Sequence, residues 1–575
     1  MRGIQIIDSV SLGRPRATAR ALDEALSPLP RDEVIVRALQ TTAAHVLDKE
    51  TRYQRVHQWF LDWLGPELRQ LLEAVQPIKT GLVVRFVDPW QQLVLLRRAA
   101  EVSPQQGRIC LGSPEGRRLY FEACLAATDL SIPPDAPLSN DPVVAALQAA
   151  AHFLPRMWLL NPPNPNNAVA RLILFLEELP QAFPPIRPDA EALRRRFTEV
   201  LGLPFEEVLA LTAFLGYWSI APSFEVCLAH PESLWIHPRT WLVNTTIPPE
   251  MLERLLSRIA VPLEQLPQHL ASTTQGSSWL DPLPFRDRPL IRYPDGCVAV
   301  TMPELLMEKA GFDIFWWLTE GPRGTPQVRT WQQAFGRLCE CYALGILAEI
   351  AEATGANYRP NVKWKEGELD ALMWGENRLA VFEVSGGFLP HASRVSGQWN
   401  SLRDALRQRF VEGQTTQGSE LEAVGQLARD IRWITTARMS RRDISVPLAS
   451  FSVIHPVLIV ADRTLRTQGI WKYLNQELRE RLPDSMPWQV APLVVAGLED
   501  LEWIQEAIRR KHPRFLPSPP ALIQVLLWWE FDHRTHPAFW QLLDDYLGEG
   551  SRNSRLAEVF RRWRHEIEGR FAARP

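Results

Sequence analysis

The sequence has few cysteines and no long apolar run, and each lack argues against a class of protein. Its 575 residues include only six cysteines, and none of them forms a C-x-x-C pair. Zinc ribbons and disulfide frameworks are therefore not expected. No stretch reaches about 18 uninterrupted apolar residues, so we predict no membrane span. The first twenty residues, MRGIQIIDSVSLGRPRATAR, lack the apolar segment of a signal peptide, and we predict a cytoplasmic protein.

The sequence also lacks a strong net charge and several well-known motifs. The formal net charge of -3 argues against attraction of nucleic acid over the whole surface, so such binding needs a local basic face. There is no G-x-S-x-G, P-loop or G-x-G-x-x-G motif, so no serine-hydrolase, NTPase or dinucleotide site is predicted. Cys227, His230 and His237 have no fourth zinc ligand at a suitable spacing, so we interpret them as a core cysteine and surface histidines.

What is present indicates a multidomain α+β protein. A chain of 575 residues is too long for one ordinary core, and its 46% apolar and 22% charged residues are typical of globular proteins. Helical spacing of apolar residues dominates the N-terminal half, as in RVHQWFLDWLGPELRQLLEAV, whereas an α-β-β-β-α-β order follows later. We predict a mainly helical region in one or two lobes, a β-hairpin/helix connector, an α/β domain and a helical C-terminal extension, at residues 1–274, 275–325, 326–512 and 513–575 respectively.

One predicted hairpin, WKEGELDALMWGENRLAVFEVSGG at residues 364–387, carries two carboxylates. Asp370 lies in its first strand and Glu383 near the end of its second, with Gly and Asn in the turn between them. Glu383 interrupts the apolar run LAVFEV, where a charge is costly unless it is paired or coordinated. Two carboxylates on neighbouring strands can share an ion of the Mg²⁺ class, which polarises a phosphate and lowers the pKa of an attacking water.

At these residues the chain resembles the PD-(D/E)XK nuclease superfamily, the restriction-endonuclease-like fold. The resemblance covers about residues 330–460 and consists of a long helix with Glu340, the GELDALM and VFEVS strands, and the α-β-β-β-α-β order. It implies that Asp370 and Glu383 are the ligands of Mg²⁺ or Mn²⁺. It further implies that the carbonyl group of Val384 completes the site and that Glu340 matches the helix acid of many members.

The chain departs from this family at Ser385, where members usually have lysine. Serine can hydrogen-bond a water molecule but carries no charge, and three interpretations stay open. The site is inactive, another residue supplies the cation, or the site works with Ser385 in place. Arg394, just downstream, is the better substitute, because Lys363 and Lys365 precede Asp370 by an odd number of residues and simple alternation points them to the other face.

Basic residues are frequent in the C-terminal half and form two candidate nucleic-acid contacts. Arg403 and Arg407 stand at i and i+4 and therefore share one helix face. Arg438, Arg441 and Arg442 form the densest basic group. Such groups can hold a phosphate backbone near a metal site. The alternative is a solvated helix face whose charges are balanced by nearby acids.

Two functions are compatible with these residues. The first is a metal-dependent nuclease that cleaves phosphodiester bonds of DNA or RNA. Its expected setting is prokaryotic defence or a mobile element, and this expectation rests on association alone. The second is a catalytically degenerate nuclease fold that binds nucleic acid or serves as an interaction scaffold. In both, the helical N-terminal region is expected to contact a protein partner or to position the nucleic acid.

Overall fold

A computed structural model of the chain has a mixed α+β fold with a mostly helical N-terminal region, which confirms the prediction at this level. The structure describes residues 4–48, 54–75, 83–131, 139–160, 165–219, 221–241, 245–273, 283–309, 311, 326–364, 367–415, 418–435, 450–536, 538–548 and 553–571.

Helices dominate the chain up to residue 273, and side-chain caps fix several of their ends. The hydroxyl of Thr18 accepts a hydrogen bond from the first turn of one helix, the carboxylate of Asp88 does the same for another, and Gly202 ends a third in the left-handed region. Two short parallel strands, β1 (Ile4–Ile6) and β2 (Val83–Arg85), join this region. The helices are α1 (Ala19–Leu26), α2 (Arg31–Leu47), α3 (Gln54–Leu64), α4 (Pro66–Glu73), α5 (Pro89–Val102), α6 (Pro114–Ser131), α7 (Pro142–Leu160), α8 (Pro165–Ile173), α9 (Leu179–Ala182), α10 (Arg187–Leu201), α11 (Phe205–Ser219), α12 (Phe224–Ala229), α13 (Pro238–Trp241), α14 (Pro249–Ile259) and α15 (Leu266–Thr273).

A small four-stranded sheet contains a hairpin that turns at Pro294-Asp295-Gly296, within the predicted connector. Its strands are β3 (Trp235–Ile236), β4 (Ala260–Pro262), β5 (Leu290–Arg292) and β6 (Val298–Val300), in the order β3-β6-β5-β4. Leu290 and Val298 belong to one hydrophobic core, whereas Ile291 and Ala299 belong to another. Because successive side chains of a strand point to opposite faces, this sheet is a layer between the two cores. Two short helices flank the hairpin, α16 (Leu283–Asp287) and α17 (Pro303–Glu308).

The two large cores do not follow the predicted segments, and a third, small cluster includes Phe224 and Cys227. Helices α1 to α6 form the first core together with α15. Helices α7, α8, α10, α11 and α14 instead contribute to the second core, which they share with the C-terminal half. The predicted helical region therefore contributes to both cores. Within the described ranges no single helix is long and apolar enough to cross a membrane. Two segments joined by a bend, Pro184–Leu201 and Phe205–Tyr217, reach that length and composition only when they are taken together.

The C-terminal half is built on a six-stranded mixed sheet. The long helix α18 (Pro326–Thr354) precedes strands β7 (Asn357–Trp364), β8 (Gly367–Gly375) and β9 (Arg378–Ser385), which form an antiparallel meander. Helices α19 (His391–Val395), α20 (Trp399–Phe410) and α21 (Ala423–Thr435) then lead to strand β12 (Val453–Val460), which pairs in parallel with β9. This is the predicted order of elements, with an additional hairpin, β10 (Glu412–Thr415) and β11 (Gly418–Leu421).

The rest of the chain completes the sheet and covers it. Strands β13 (Gln489–Val490) and β14 (Val494–Gly497) both pair in parallel with β12. Strand β12 is buried along its whole length, as its apolar sequence VIHPVLIV requires of a central strand. The helices that follow pack on the second core, so the predicted C-terminal extension belongs to the same packing unit. They are α22 (Gln468–Arg481), α23 (Leu498–Arg509), α24 (Ala521–Asp532), α25 (Phe539–Leu547) and α26 (Ser554–Phe571).

Candidate functional site

Asp370 and Glu383 occupy directly opposite positions on β8 and β9. The last residues paired between these strands are Ala371 and Phe382, so the next pair in the same register is Asp370 and Glu383, on one face of the sheet. The regular ladder stops there. The side chain of Asp370 instead accepts a hydrogen bond from the Val384 N–H at 2.6 Å. The structure thus brings together the two acids that the sequence analysis selected, where the strands begin to separate.

The other neighbour of Asp370 is also irregular. Asn361 on β7 faces Asp370, and it interrupts the paired ladder between these two strands. Its φ angle is 49°, in the left-handed region that non-glycine residues seldom occupy. Residues held in such conformations cluster at functional sites, where surrounding structure maintains them. The backbone around Asp370 is therefore irregular on both sides.

Glu340 reaches this region because helix α18 touches the end of β9. A Cβ atom on Gly386 would lie 2.6 Å from the Cα of Gly336, so the two glycines allow the backbones to meet. Glu340 follows Gly336 by four residues and lies on the same side of the helix. Its charge helps raise the pKa of Asp370, next to the larger effect of burial. The helix acid implied by the family resemblance is thus electrostatically coupled to the hairpin.

Asp430 is a fourth acid of the site, and the sequence analysis missed it. It lies on α21, which packs against β9, and its side chain is fully buried. Its Oδ1 accepts a hydrogen bond from the Arg429 Nε at 2.8 Å, whereas its Oδ2 has no partner among the described residues. One signal was available. Asp430 stands on the apolar face of an amphipathic helix, three residues after Leu427 and four before Ile434.

Burial raises the pKa values of all four acids, and neighbouring acids of the site add to this effect at Asp370 and Glu383. Burial, followed by the charge of Glu340, raises the pKa of Asp370 to about 7. Burial and then the charge of Asp370 raise the pKa of Glu383 well above its usual value. Burial raises the pKa of Asp430 to about 6, against the lowering effect of Arg429. Such a group of carboxylates favours any additional positive charge placed among them.

The oxygen atoms present fit a hard divalent cation. Within the described chain, the carboxylate of Glu383 accepts no hydrogen bond and forms no ion pair, although only 8% of the residue is exposed. The Val384 N–H points towards β8, and the carbonyl group of an extended residue points to the same neighbouring strand. The carbonyl oxygen of Val384 is therefore on the side of Asp370. Carboxylate and carbonyl oxygens are the ligands that Mg²⁺ and Mn²⁺ prefer.

Lys363 lies on the face of the sheet that carries the acids. It pairs with Glu368 across β7 and β8, and their side chains form an ion pair of 3.0 Å. Glu368 precedes Asp370 by two residues and so shares its face. The alternation argument assigned Lys363 to the other face by counting residues along one strand. It does not apply, because Lys363 lies on β7 and Asp370 lies on β8. Lys363 lowers the pKa of Glu340, which burial raises. Lys365 lies outside the described residues.

Arg394 is held in a different environment from the one expected. Its guanidinium group is buried, donates hydrogen bonds to the Leu389 carbonyl at 2.8 and 3.0 Å, and forms an ion pair of 2.9 Å with Asp462. Asp462 also accepts a hydrogen bond from the Leu389 N–H. Arg394 therefore fixes the segment after β9 to the segment after β12. It is not among the main charges that shift the pKa values of Asp370 and Glu383.

Ser385 contributes no charge and completes a turn. Its hydroxyl accepts a hydrogen bond from the Gly387 N–H at 3.3 Å, and its carbonyl accepts one from the Ala461 N–H at 3.1 Å. The side chain is half-buried. Nothing in these contacts replaces the lysine that members of the nuclease family usually carry there.

The two candidate arginines on α20 are already paired with acids. Arg403 donates hydrogen bonds to the neighbouring Asp404 and stacks on Trp399, with its guanidinium carbon 5.1 Å from the ring centre. Arg407 forms an ion pair of 3.0 Å with Glu412. These contacts match the alternative of a solvated helix face balanced by acids. The basic group Arg438, Arg441 and Arg442 lies outside the described residues.

The cysteine and histidines that the sequence analysis set aside do not form a common site. Cys227 is buried, and both histidines are exposed, which confirms the interpretation of a core cysteine and surface histidines. His230 pairs with Glu232. His237 instead contacts the sulfur of Cys297, with 2.7 Å between Nδ1 and Sγ.

The acids of the sheet are neighbours without forming a complete ligand set. Over the described ranges, no three side chains of His, Cys, Asp or Glu are arranged to hold a metal ion together. Any ion at Asp370 and Glu383 therefore needs backbone, water or substrate oxygens as further ligands. No protein-family model, no curated protein and no solved structure matches this chain.

Proposed function

We propose that this protein is a metal-dependent nuclease that cleaves phosphodiester bonds of DNA or RNA. The observation that carries the proposal is the placement of Asp370 opposite Glu383 on β8 and β9, at a point where the backbone is irregular on both sides. Glu340 and Asp430 add negative charge to the same place. Buried carboxylates with raised pKa values are costly in a structural role, and they mark functional sites.

Asp370, Glu383 and the carbonyl oxygen of Val384 would hold Mg²⁺ or Mn²⁺. A bound ion of this class polarises the phosphate and lowers the pKa of an attacking water. Glu340 is placed to accept a proton, because burial raises its pKa towards neutral pH. Asp430 increases the negative potential behind Glu383 and thereby favours the cation.

Lys363 takes the place of the lysine that is missing at Ser385. Its ion pair with Glu368 is exposed on both sides, so the ammonium group leaves that partner at little cost. It lies on the face of Asp370, where it can approach the negative charge that develops on a phosphate during cleavage. Arg394 cannot take this role, because its guanidinium group is buried against Asp462.

A cleavage assay tests the proposal. Supercoiled plasmid, single-stranded DNA and single-stranded RNA are incubated with Mn²⁺ and the full chain, beside Asp370→Asn and Glu383→Gln. Both substitutions keep the shape of the side chain and remove one charge, and Asp404→Asn on the surface of α20 is the matched control. We expect the wild type and the control to cleave, and each site variant to lose at least about 100-fold in rate. Equal cleavage by all four proteins, or cleavage by none, contradicts the proposal.

A second function is favoured by the uncharged Ser385 and the incomplete ligand set. In this case the sheet belongs to a catalytically degenerate nuclease scaffold. The protein then binds nucleic acid, or it binds a protein partner through its helical N-terminal region. The wild type then binds single- or double-stranded nucleic acid without cleaving it, and Asp370→Asn leaves that binding unchanged. Under either function, a setting in prokaryotic defence or in a mobile element remains part of the proposal.

A further inference from the structure

A concave site lies in the N-terminal half, on elements that do not contribute to the acid pair. It is a cleft of about 460 Å³ between α2, α3 and the small sheet. This volume lies in the range of about 300–1,000 Å³ that is usual for small-molecule sites. The lining residues that matter here are Asp32, Glu33, Trp63, Trp235 and Tyr293.

The aromatic walls of the cleft are held in fixed positions. The rings of Trp235 and Tyr293 lie 5.2 Å apart at 32°, and both pack on the first core. Arg37 places its guanidinium carbon 4.3 Å from the centre of the Trp63 ring and donates a hydrogen bond to Gln40. Indole and phenol rings held in this way form a platform on which a planar ligand can stack.

The polar groups of the cleft have unused hydrogen-bonding capacity. One oxygen of Asp32 accepts a hydrogen bond from Arg31, and one oxygen of Glu33 accepts from the Leu111 N–H. The second oxygen of each carboxylate has no hydrogen-bond partner in the described part of the chain. The hydroxyl of Tyr293 is buried and also has no partner among the described residues. The free oxygens of the two carboxylates are therefore the acceptors that the cleft offers to a ligand.

We propose that this cleft binds a guanine base. Guanine presents two adjacent N–H donors on its Watson–Crick edge, which suit the free oxygen of a carboxylate such as Asp32. Adenine, cytosine and uracil each place an acceptor nitrogen or a second carbonyl opposite the carboxylates, so the acidic rim disfavours them. The base stacks on the ring of Trp235.

The same chemistry occurs in a free guanine nucleotide and in a guanine of a single strand. A single-stranded base can be splayed out and stacked on an aromatic side chain, and its edge is then available to polar groups. The proposal does not rest on the nuclease function, because binding at the cleft needs no metal ion and no cleavage.

Binding of the four ribonucleoside monophosphates to the full chain tests the proposal, without added metal. GMP, AMP, CMP and UMP carry the same phosphate, so differences in affinity report the base. We expect GMP to bind at least about tenfold more tightly than the other three in calorimetric titrations. A short oligonucleotide with one guanine, used in competition, distinguishes the sources: it displaces GMP if the cleft accepts a base within a strand. Equal affinity for all four nucleotides, or no binding of GMP, overturns the proposal.

Three variants localise the binding. Asp32→Asn is expected to weaken GMP binding about tenfold or more, because the amide offers one acceptor and one donor in place of two acceptors. Trp235→Phe retains a stacking surface and is expected to bind GMP, whereas Trp235→Leu loses about fivefold or more. Glu67→Gln, an exposed acid on α4 outside the cleft, is the matched control. Unchanged GMP binding in both Asp32→Asn and Trp235→Leu places the nucleotide elsewhere and overturns the assignment.

Discussion

Replacing Asp370 by asparagine is expected to stabilise the protein at alkaline pH and to have little effect in acid. The hydrogen bond from the Val384 N–H is retained, because the amide oxygen of asparagine can accept it. The substitution removes a negative charge that is electrostatically coupled to the carboxylates of Glu340, Glu383 and Asp430. A substitution in an ordinary structural carboxylate has the opposite effect, since it removes a favourable contact.

The sign of the pH dependence follows from the raised pKa. The pKa of Asp370 rises from 3.8 to about 7 on folding, so between these values the folded chain holds a proton that the unfolded chain has released. The free energy of unfolding therefore falls as pH rises from about 4 to about 7, and stays low above that. At about 1.36 kcal/mol per unit, the full shift corresponds to about 4 kcal/mol. Because Asp370 is partly exposed, we expect about 2 kcal/mol of this to be measurable.

Urea unfolding of the wild type and Asp370→Asn, followed by tryptophan fluorescence at several pH values between 4 and 8, measures the difference. We expect the two proteins to be equally stable near pH 4 and the variant to become more stable by about 2 kcal/mol near pH 8. Asp404→Asn, which removes an exposed acid of α20, is the control and is expected to show no such divergence. A variant that is less stable at pH 8, or a difference that does not change with pH, refutes the electrostatic reasoning.

Three further substitutions test the roles of residues that surround the site. Lys363→Gln is expected to reduce cleavage at least about tenfold while metal affinity, measured by calorimetry, is retained. Arg394→Gln leaves the buried Asp462 without its cation and is expected to lower the free energy of unfolding by about 3 kcal/mol in urea. Gly386→Ala places a Cβ atom 2.6 Å from the Cα of Gly336, so the contact between α18 and β9 has to open. We expect a loss of about 1–3 kcal/mol in the same assay, and an unchanged stability contradicts the close approach.

Local sequence patterns predicted the hairpin of the site well. The alternation of LAVFEV and the order of helices and strands depend on neighbours in sequence, and the structure follows them. The turn differs in detail from the prediction. Gly375 ends β8 and pairs with Arg378, and the turn consists of Glu376, with a φ angle of 54°, and Asn377. The opposite placement of Asp370 and Glu383 follows from the same pattern, because the length of the turn sets the register.

The remaining features depend on packing between distant segments. The position of Lys363 depends on pairing between β7 and β8, which counting along one strand cannot reveal. Asp430 joins the site because α21 packs on β9, about 45 residues further along the chain. The division into two cores is equally non-local, since successive residues of the small sheet face different cores. A single sequence carries little information on such contacts.

The claim on which the proposed nuclease depends is that the acids of β8 and β9 hold a divalent cation. Electron paramagnetic resonance of Mn²⁺ in a titration of the full chain measures this directly, since bound and free ions give different signals. We predict one tightly bound Mn²⁺ per chain at neutral pH, and its loss in the double variant Asp370→Asn, Glu383→Gln. A wild type that binds no Mn²⁺, or a double variant that binds it equally well, contradicts the claim.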